Sequence, residues 1–115
     1  MVDANDLLEE IIKKLEAEYL KGTSGKKLTK EVGIYFNSYL QDVSDMAGVF
    51  KEMWSLGHIT PLISKKMALV LNRSIETIIL ASVGQGLVAE DKAKSLSKGI
   101  LDQTLQLLLQ FILGI

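Results

Sequence analysis

The sequence predicts an all-α fold, a compact bundle of about four helices that ends in an apolar C-terminal helix. Three observations predict it. Apolar residues recur at steps of three and four in every long segment, the period of a helix that buries one face. Nearly half of the 115 residues are hydrophobic (48%), with Leu, Ile and Val abundant, so there is material for a core. Pro occurs once and long stretches lack Gly, so breakers are scarce. A chain of this length fits a single helical domain, residues 1–115, that can bury a core without staples.

The first helix is expected from about Ala4 to Lys21. Asp3 or Asn5 can cap it, and Asp6 lies in the first turn, where the helix dipole favours an acid. Leu7, Leu8, Ile11, Ile12, Leu15 and Tyr19 share one face, Glu9–Lys13 and Glu10–Lys14 form i,i+4 pairs, and Gly22 ends the helix. Residues 23–27 read as a loop.

A second segment spans about Leu28 to Leu56, with Leu28, Val32, Tyr35, Tyr39, Val43, Met46, Phe50 and Met53 at helical steps. Gly33, Gly48 and the β-branched residues near Val32 and Ile34 weaken it. A break near Ser44 or Gly48 would make five helices, and Val32 to Leu40 reads alternatively as a strand. Gly57-His58-Ile59-Thr60-Pro61 is the clearest punctuation in the chain: Gly57 suits the residue after a helix, Thr60 an N-cap, and Pro61 the first helical position. The third helix then runs from about Pro61 to Val83. It is apolar nearly all round at Met67–Leu71 and at Ile78–Ala81, which suggests the buried centre of the domain. Gly84-Gln85-Gly86 stops it. The fourth helix starts at Glu90 and Asp91 and runs to about Leu113. Its second half is apolar except for a narrow stripe of Gln103, Gln106 and Gln110.

Little of this supports catalysis or cofactor binding. There is no Cys, which excludes disulfides, thiolate metal sites and cysteine nucleophiles. His58 is the sole histidine. It lies in a turn, where capping the second helix or bonding locally suits it better than a catalytic role. The paired Glu-x-x-His motifs of di-iron bundles are missing. Asp42 and Asp45 share a helical face, as a weak cation site or an acid pair would, but a solvated helix surface is the preferred reading. The run Gly22-Thr23-Ser24-Gly25-Lys26-Lys27-Leu28-Thr29 departs from the phosphate-loop pattern: Leu20 stands where the first Gly belongs, Lys27 follows the Lys, and a helix precedes it. No catalytic residue, metal ligand or cofactor is assigned.

Charge is nearly balanced overall, at −1, but segregated. The first eighteen residues set six acids against Lys13 and Lys14. Lys21, Lys26, Lys27 and Lys30 follow without an acid. Residues 31–58 are acidic, and residues 59–84 carry Lys65, Lys66 and Arg73 against Glu76 alone. Lys26, Lys27, Lys30, Lys65, Lys66 and Arg73 are therefore the candidate contacts for an anion or a nucleic acid. Tight binding is not expected from a chain with one Arg and no basic excess.

The N-terminus is acidic and lacks the apolar run of a signal peptide, and no stretch reaches about 18 consecutive apolar residues. A cytoplasmic location, or membership of a virion or other assembly, is the expectation. The terminal segment Ile100–Ile115 has more apolar girth than a lone bundle readily covers, and a large exposed apolar patch marks an interface. Leu101, Leu105, Leu108, Leu109, Phe111 and Ile112 are therefore the expected contacts of a homo-oligomer or a larger assembly. The implied role is non-catalytic: a structural, coat-like or adaptor subunit. A small helical nucleic-acid-associated protein is the alternative.

Overall fold

A computed structural model describes residues 3–21 and 28–115. Those residues form four α-helices: α1 (Ala4–Tyr19), α2 (Lys30–Ser55), α3 (Pro61–Gly84) and α4 (Glu90–Leu113). The expected loop 23–27 and the stop at Gly22 lie outside the described residues.

Each helix starts where local chemistry satisfies its first amide groups. The Asp3 carboxylate accepts from Asp6 N at 2.9 Å while Asp3 N donates to the Asp6 carboxylate at 3.2 Å, a reciprocal capping box. Thr29 Oγ1 accepts from Val32 N, and Thr60 Oγ1 accepts from Ile63 N with Pro61 in the first turn. Only α4 starts without a side-chain cap; Glu90 and Asp91 supply negative charge there instead. The exposed pair on α1 is Glu10–Lys13 at 3.6 Å rather than the expected i,i+4 partners.

The ends are equally local. Gly57 (φ +75°) and Gly86 (φ +71°) adopt the left-handed conformation that a side chain resists. Around Gly57, His58 N donates to Met53 O and Gly57 N to Trp54 O; Leu87 and Gly86 repeat the pattern on Ser82 and Val83. These paired bonds close the last turns of α2 and α3. His58 thus serves the end of α2 through its backbone.

α2 is one unbroken helix, which resolves both the break and the strand alternative. Val32, Phe36, Leu40, Val43 and Ala47 are all buried at steps of three and four, so packing overrides the local cost of the β-branched residues and Gly33. Gly48 stays helical and lies 3.6 Å from the Ala4 side chain, reckoned from an added Cβ.

Short connections make successive helices antiparallel. α4 packs against all three others and α2 also reaches across to α4, whereas α1 and α3 do not meet among the described residues. The cross-section is therefore a rhombus with α2 and α4 on its short diagonal. The expectation that α3 is the buried centre is corrected here: α2 and α4, each meeting the other three helices, share the centre, and α3 is a corner helix. α1, with 16 residues against 24–26 in the others, is the short member.

The largest fully buried side chains include Phe36, Ile11, Leu15, Leu40, Ile75, Ile79, Leu96, Ile100, Leu108 and Ile112, drawn from every helix. Two polar contacts fix how α3 sits. Asn72 Nδ2 donates to Leu101 O at 2.9 Å, and Asn72 Oδ1 accepts from the Thr104 hydroxyl at 2.5 Å, which ties α3 to α4. The Tyr35 hydroxyl donates to Ile78 O at 2.7 Å, which ties α2 to α3. Tyr35 therefore lies within about one helical turn of the level of Ile78. Because the two helices are antiparallel, Asp42 comes within about one turn of Leu71 and Met46 within about one turn of Met67.

Candidate interaction surface

The terminal segment is largely consumed by the fold. Leu108, Phe111 and Ile112 are buried within the chain, Leu105 and Leu109 are half-buried against the same core, and Leu101 is half-buried. A helix with three neighbours needs apolar residues over most of its circumference, which accounts for α4. Phe111 also carries Lys51 Nζ 4.6 Å from its ring centre. The residues expected to form an interface thus have an intramolecular occupation, and the apolar surface left to solvent lies elsewhere.

It lies on α3 and the adjoining flank of α2. The inward residues of α3 are Ser64, Ala68, Leu71, Asn72, Ile75, Ile79 and Ser82. Its outward arc carries Leu62 (61% exposed), Leu69 (44%), Val70 (57%) and Leu80 (41%). On α2 the exposed apolar side chains include Tyr39 (51%), Met46 (47%) and Val49. Tyr35 underlies this flank, its ring 4.9 Å from that of Tyr39. Burial pushes the Tyr35 hydroxyl above its ordinary value of 10.0, and Tyr39 adds to the rise.

α3 is also the one described helix long and apolar enough to cross a membrane by length and composition, with 33% of its most apolar window buried. The most apolar helix by that measure is α3, not the terminal one. Lys65, Lys66, Arg73 and Glu76 interrupt it, so the absence of a long uninterrupted apolar run stands.

The candidate cations are only partly brought together. Lys65, Lys66 and Arg73 are exposed on α3, with Lys66 and Arg73 seven residues apart in its outward arc. Lys30 is at the start of α2, near the level of Val83, about 25 Å along the bundle from Lys66 at 1.5 Å per residue. Lys26 and Lys27 lie outside the described residues. Asp42 and Asp45 are exposed, and Gln41 Nε2 donates to Asp45 at 3.2 Å. Among the described residues no group of three or more His, Asp or Glu is placed to hold a metal ion.

Concave features are modest. A cleft of about 240 Å³ opens where α1, α2 and α4 converge, lined by Leu7, Glu10, Lys51, Gln110 and Phe111 among others. The cleft between α3 and α4, beside Glu76, Leu80 and Ser97, opens to solvent and is no dry cavity for a ligand.

No protein-family model matches this chain, and no curated protein or solved structure does.

Proposed function

We propose that this protein is a non-catalytic helical subunit that works by associating with protein, either copies of itself or a larger assembly, through the exposed apolar surface of α3 and the neighbouring flank of α2. One observation carries the reading. Large aliphatic side chains stay 41–61% exposed along the outward arc of α3 after the core has formed, although each would gain about 1 kcal/mol more on full burial. Exposed apolar side chains on both flanks of one helix, Val70 towards α2 and Leu80 towards α4, are the kind of surface that marks an interface. Leu108 and Phe111, already inside the bundle, are part of what holds that surface in place.

The test is native mass by light scattering beside circular dichroism. The expected result is a wild-type mass above the 12.7 kDa of one chain, reduced by Val70→Asp with no loss of helicity. Leu108→Asp with Phe111→Asp should instead abolish helicity, because it puts two charges into the core. A wild type that stays at one chain at every concentration, with no protein partner retained, overturns the reading.

Lys66 and Arg73 on the same arc favour one second reading, a weak nucleic-acid contact that declines as salt rises. Lys30 lies roughly 25 Å along the bundle from Lys66 and about 15 Å from Arg73, which argues against a continuous basic track.

A further inference from the structure

We infer that the occupant of this surface is a second copy of the same chain, docked about a two-fold axis parallel to the bundle so that α2 of each copy lies on α3 of the other. The inference rests on the association proposed above and names its partner and geometry.

Charge complementarity is the first argument. The exposed acids of α2 are Glu31, Asp42, Asp45 and Glu52, set against Lys30 and Lys51. α3 carries Lys65, Lys66 and Arg73, and its one acid, Glu76, accepts a hydrogen bond from Ser97 at 3.3 Å. One helix of the face is thus apolar and acidic, its neighbour apolar and basic. A face-to-face pair that set α2 on α2 and α3 on α3 would juxtapose like charges. A two-fold axis along the bundle sets each α2 on a partner α3 and matches them twice.

Register agrees with this pairing. A rotation about an axis parallel to the helices preserves height, so the partner's residues lie at the levels their own copy fixes. The Tyr35–Ile78 hydrogen bond sets those levels. It brings the partner's Asp45 to within about one turn of Lys66 and the partner's Asp42 to within about one turn of Arg73, a gap that Lys and Arg side chains can span. Lateral placement agrees. On α2, Tyr39 and Met46 recur at seven residues along the side next to α3, and Asp45 lies towards the outer rim. On α3, Ile63 and Val70 recur at seven residues on the side next to α2, and Lys66 and Arg73 lie towards the outer rim. Stacked in this way, the apolar rows meet in the middle, Asp45 faces the partner's Lys66 at the edge, and Asp42 lies between Tyr39 and Met46 within reach of the partner's Arg73. The bundle measures 45 × 23 × 21 Å, so one such face has room for the roughly 800 Å² per partner that a stable interface buries.

The experiment is a charge-reversal exchange read by light scattering. All four residues are exposed, and circular dichroism verifies that each variant keeps its helicity. One variant carries Lys66→Glu and Arg73→Glu, the other Asp42→Lys and Asp45→Lys. In either variant both contacts of the homodimer become like-charged, so each alone should raise the dimer dissociation constant at least about tenfold. Mixed in equal amounts, the two should form a species of twice the chain mass containing one of each, because both contacts are then complementary. The chain carrying all four reversals should dimerise with itself again. Reversal variants that dimerise like wild type, a mixture that restores nothing, or a mass that climbs past two chains with concentration overturns the two-fold arrangement. Those results leave the association reading standing wherever the wild type still self-associates and Val70→Asp still weakens it; a monomeric wild type removes both.

Discussion

Thr104→Val tests whether the polar contact between α3 and α4 is as interlocked as its geometry implies. The replacement is nearly isosteric, so the cavity contribution is small. What it removes is the donor to Asn72 Oδ1. Asn72 is 8% exposed, so that carbonyl would be left in a site water scarcely reaches, at about 1–3 kcal/mol. Asn72→Leu removes the other side of the contact with a different consequence. The Thr104 hydroxyl is then released but not orphaned, because Ile100 O and Leu101 O each lie 3.1 Å away as acceptors. Leu101 O loses only the side-chain donor. The cost of Asn72→Leu should be about 1 kcal/mol, smaller than that of Thr104→Val. With both partners replaced by apolar groups of similar shape nothing is left unsatisfied, and the double variant should recover most of the loss. Urea unfolding of the four proteins gives the coupling directly. For a chain of this length about 2 kcal/mol corresponds to roughly 8 °C in Tm, so thermal melts resolve it as well. A double variant as unstable as the sum of the two singles would refute the account.

Two further outcomes follow from buried polar groups. The Ser44 hydroxyl is fully buried on α2 without a hydrogen-bond partner, so Ser44→Ala should raise stability by about 1 kcal/mol in denaturant unfolding, and a loss of that size would show that the hydroxyl is satisfied after all. Burial, with Tyr39 beside it, makes Tyr35 bind its proton more tightly folded than unfolded, so its contribution is present below about pH 10 and declines as pH rises through the folded value; Tyr35→Phe should therefore show a shallower fall in stability above pH 10 than wild type, with parallel pH profiles counting against the burial of the Tyr35 hydroxyl.

The legible parts of the fold are those where one residue type serves one backbone position. Gly57, Thr60 and Pro61 occupy a turn in which each does what few other residues can, and their roles in the structure match the sequence reading. The continuity of α2 was less legible, since Gly33, Gly48 and the β-branched residues weigh against a helix until Phe36 and Leu40 have a core to fill. The candidate surface was hardest to place. Apolar girth is visible in sequence for both α3 and α4, but what it signifies depends on how many neighbours a helix has. α4 touches three helices, and its girth fills the core. α3 touches two, so comparable girth leaves Leu62, Leu69, Val70 and Leu80 outside. The clue lay in Lys66 and Arg73, two cations on the arc of α3 that the fold turns outward, whereas α4 in its apolar half carries no cation beyond Lys98.

The rhombic cross-section has a consequence for how the molecule can change. Because α1 and α3 occupy opposite corners and share no contact among the described residues, energetic cross-talk between them must pass through α2 or α4. Substitutions on the outward side of α3 should therefore combine additively with substitutions in α1. One corner is free to be remodelled for a new recognition task while the other is tuned for thermal tolerance, so affinity and robustness are separable traits in this architecture.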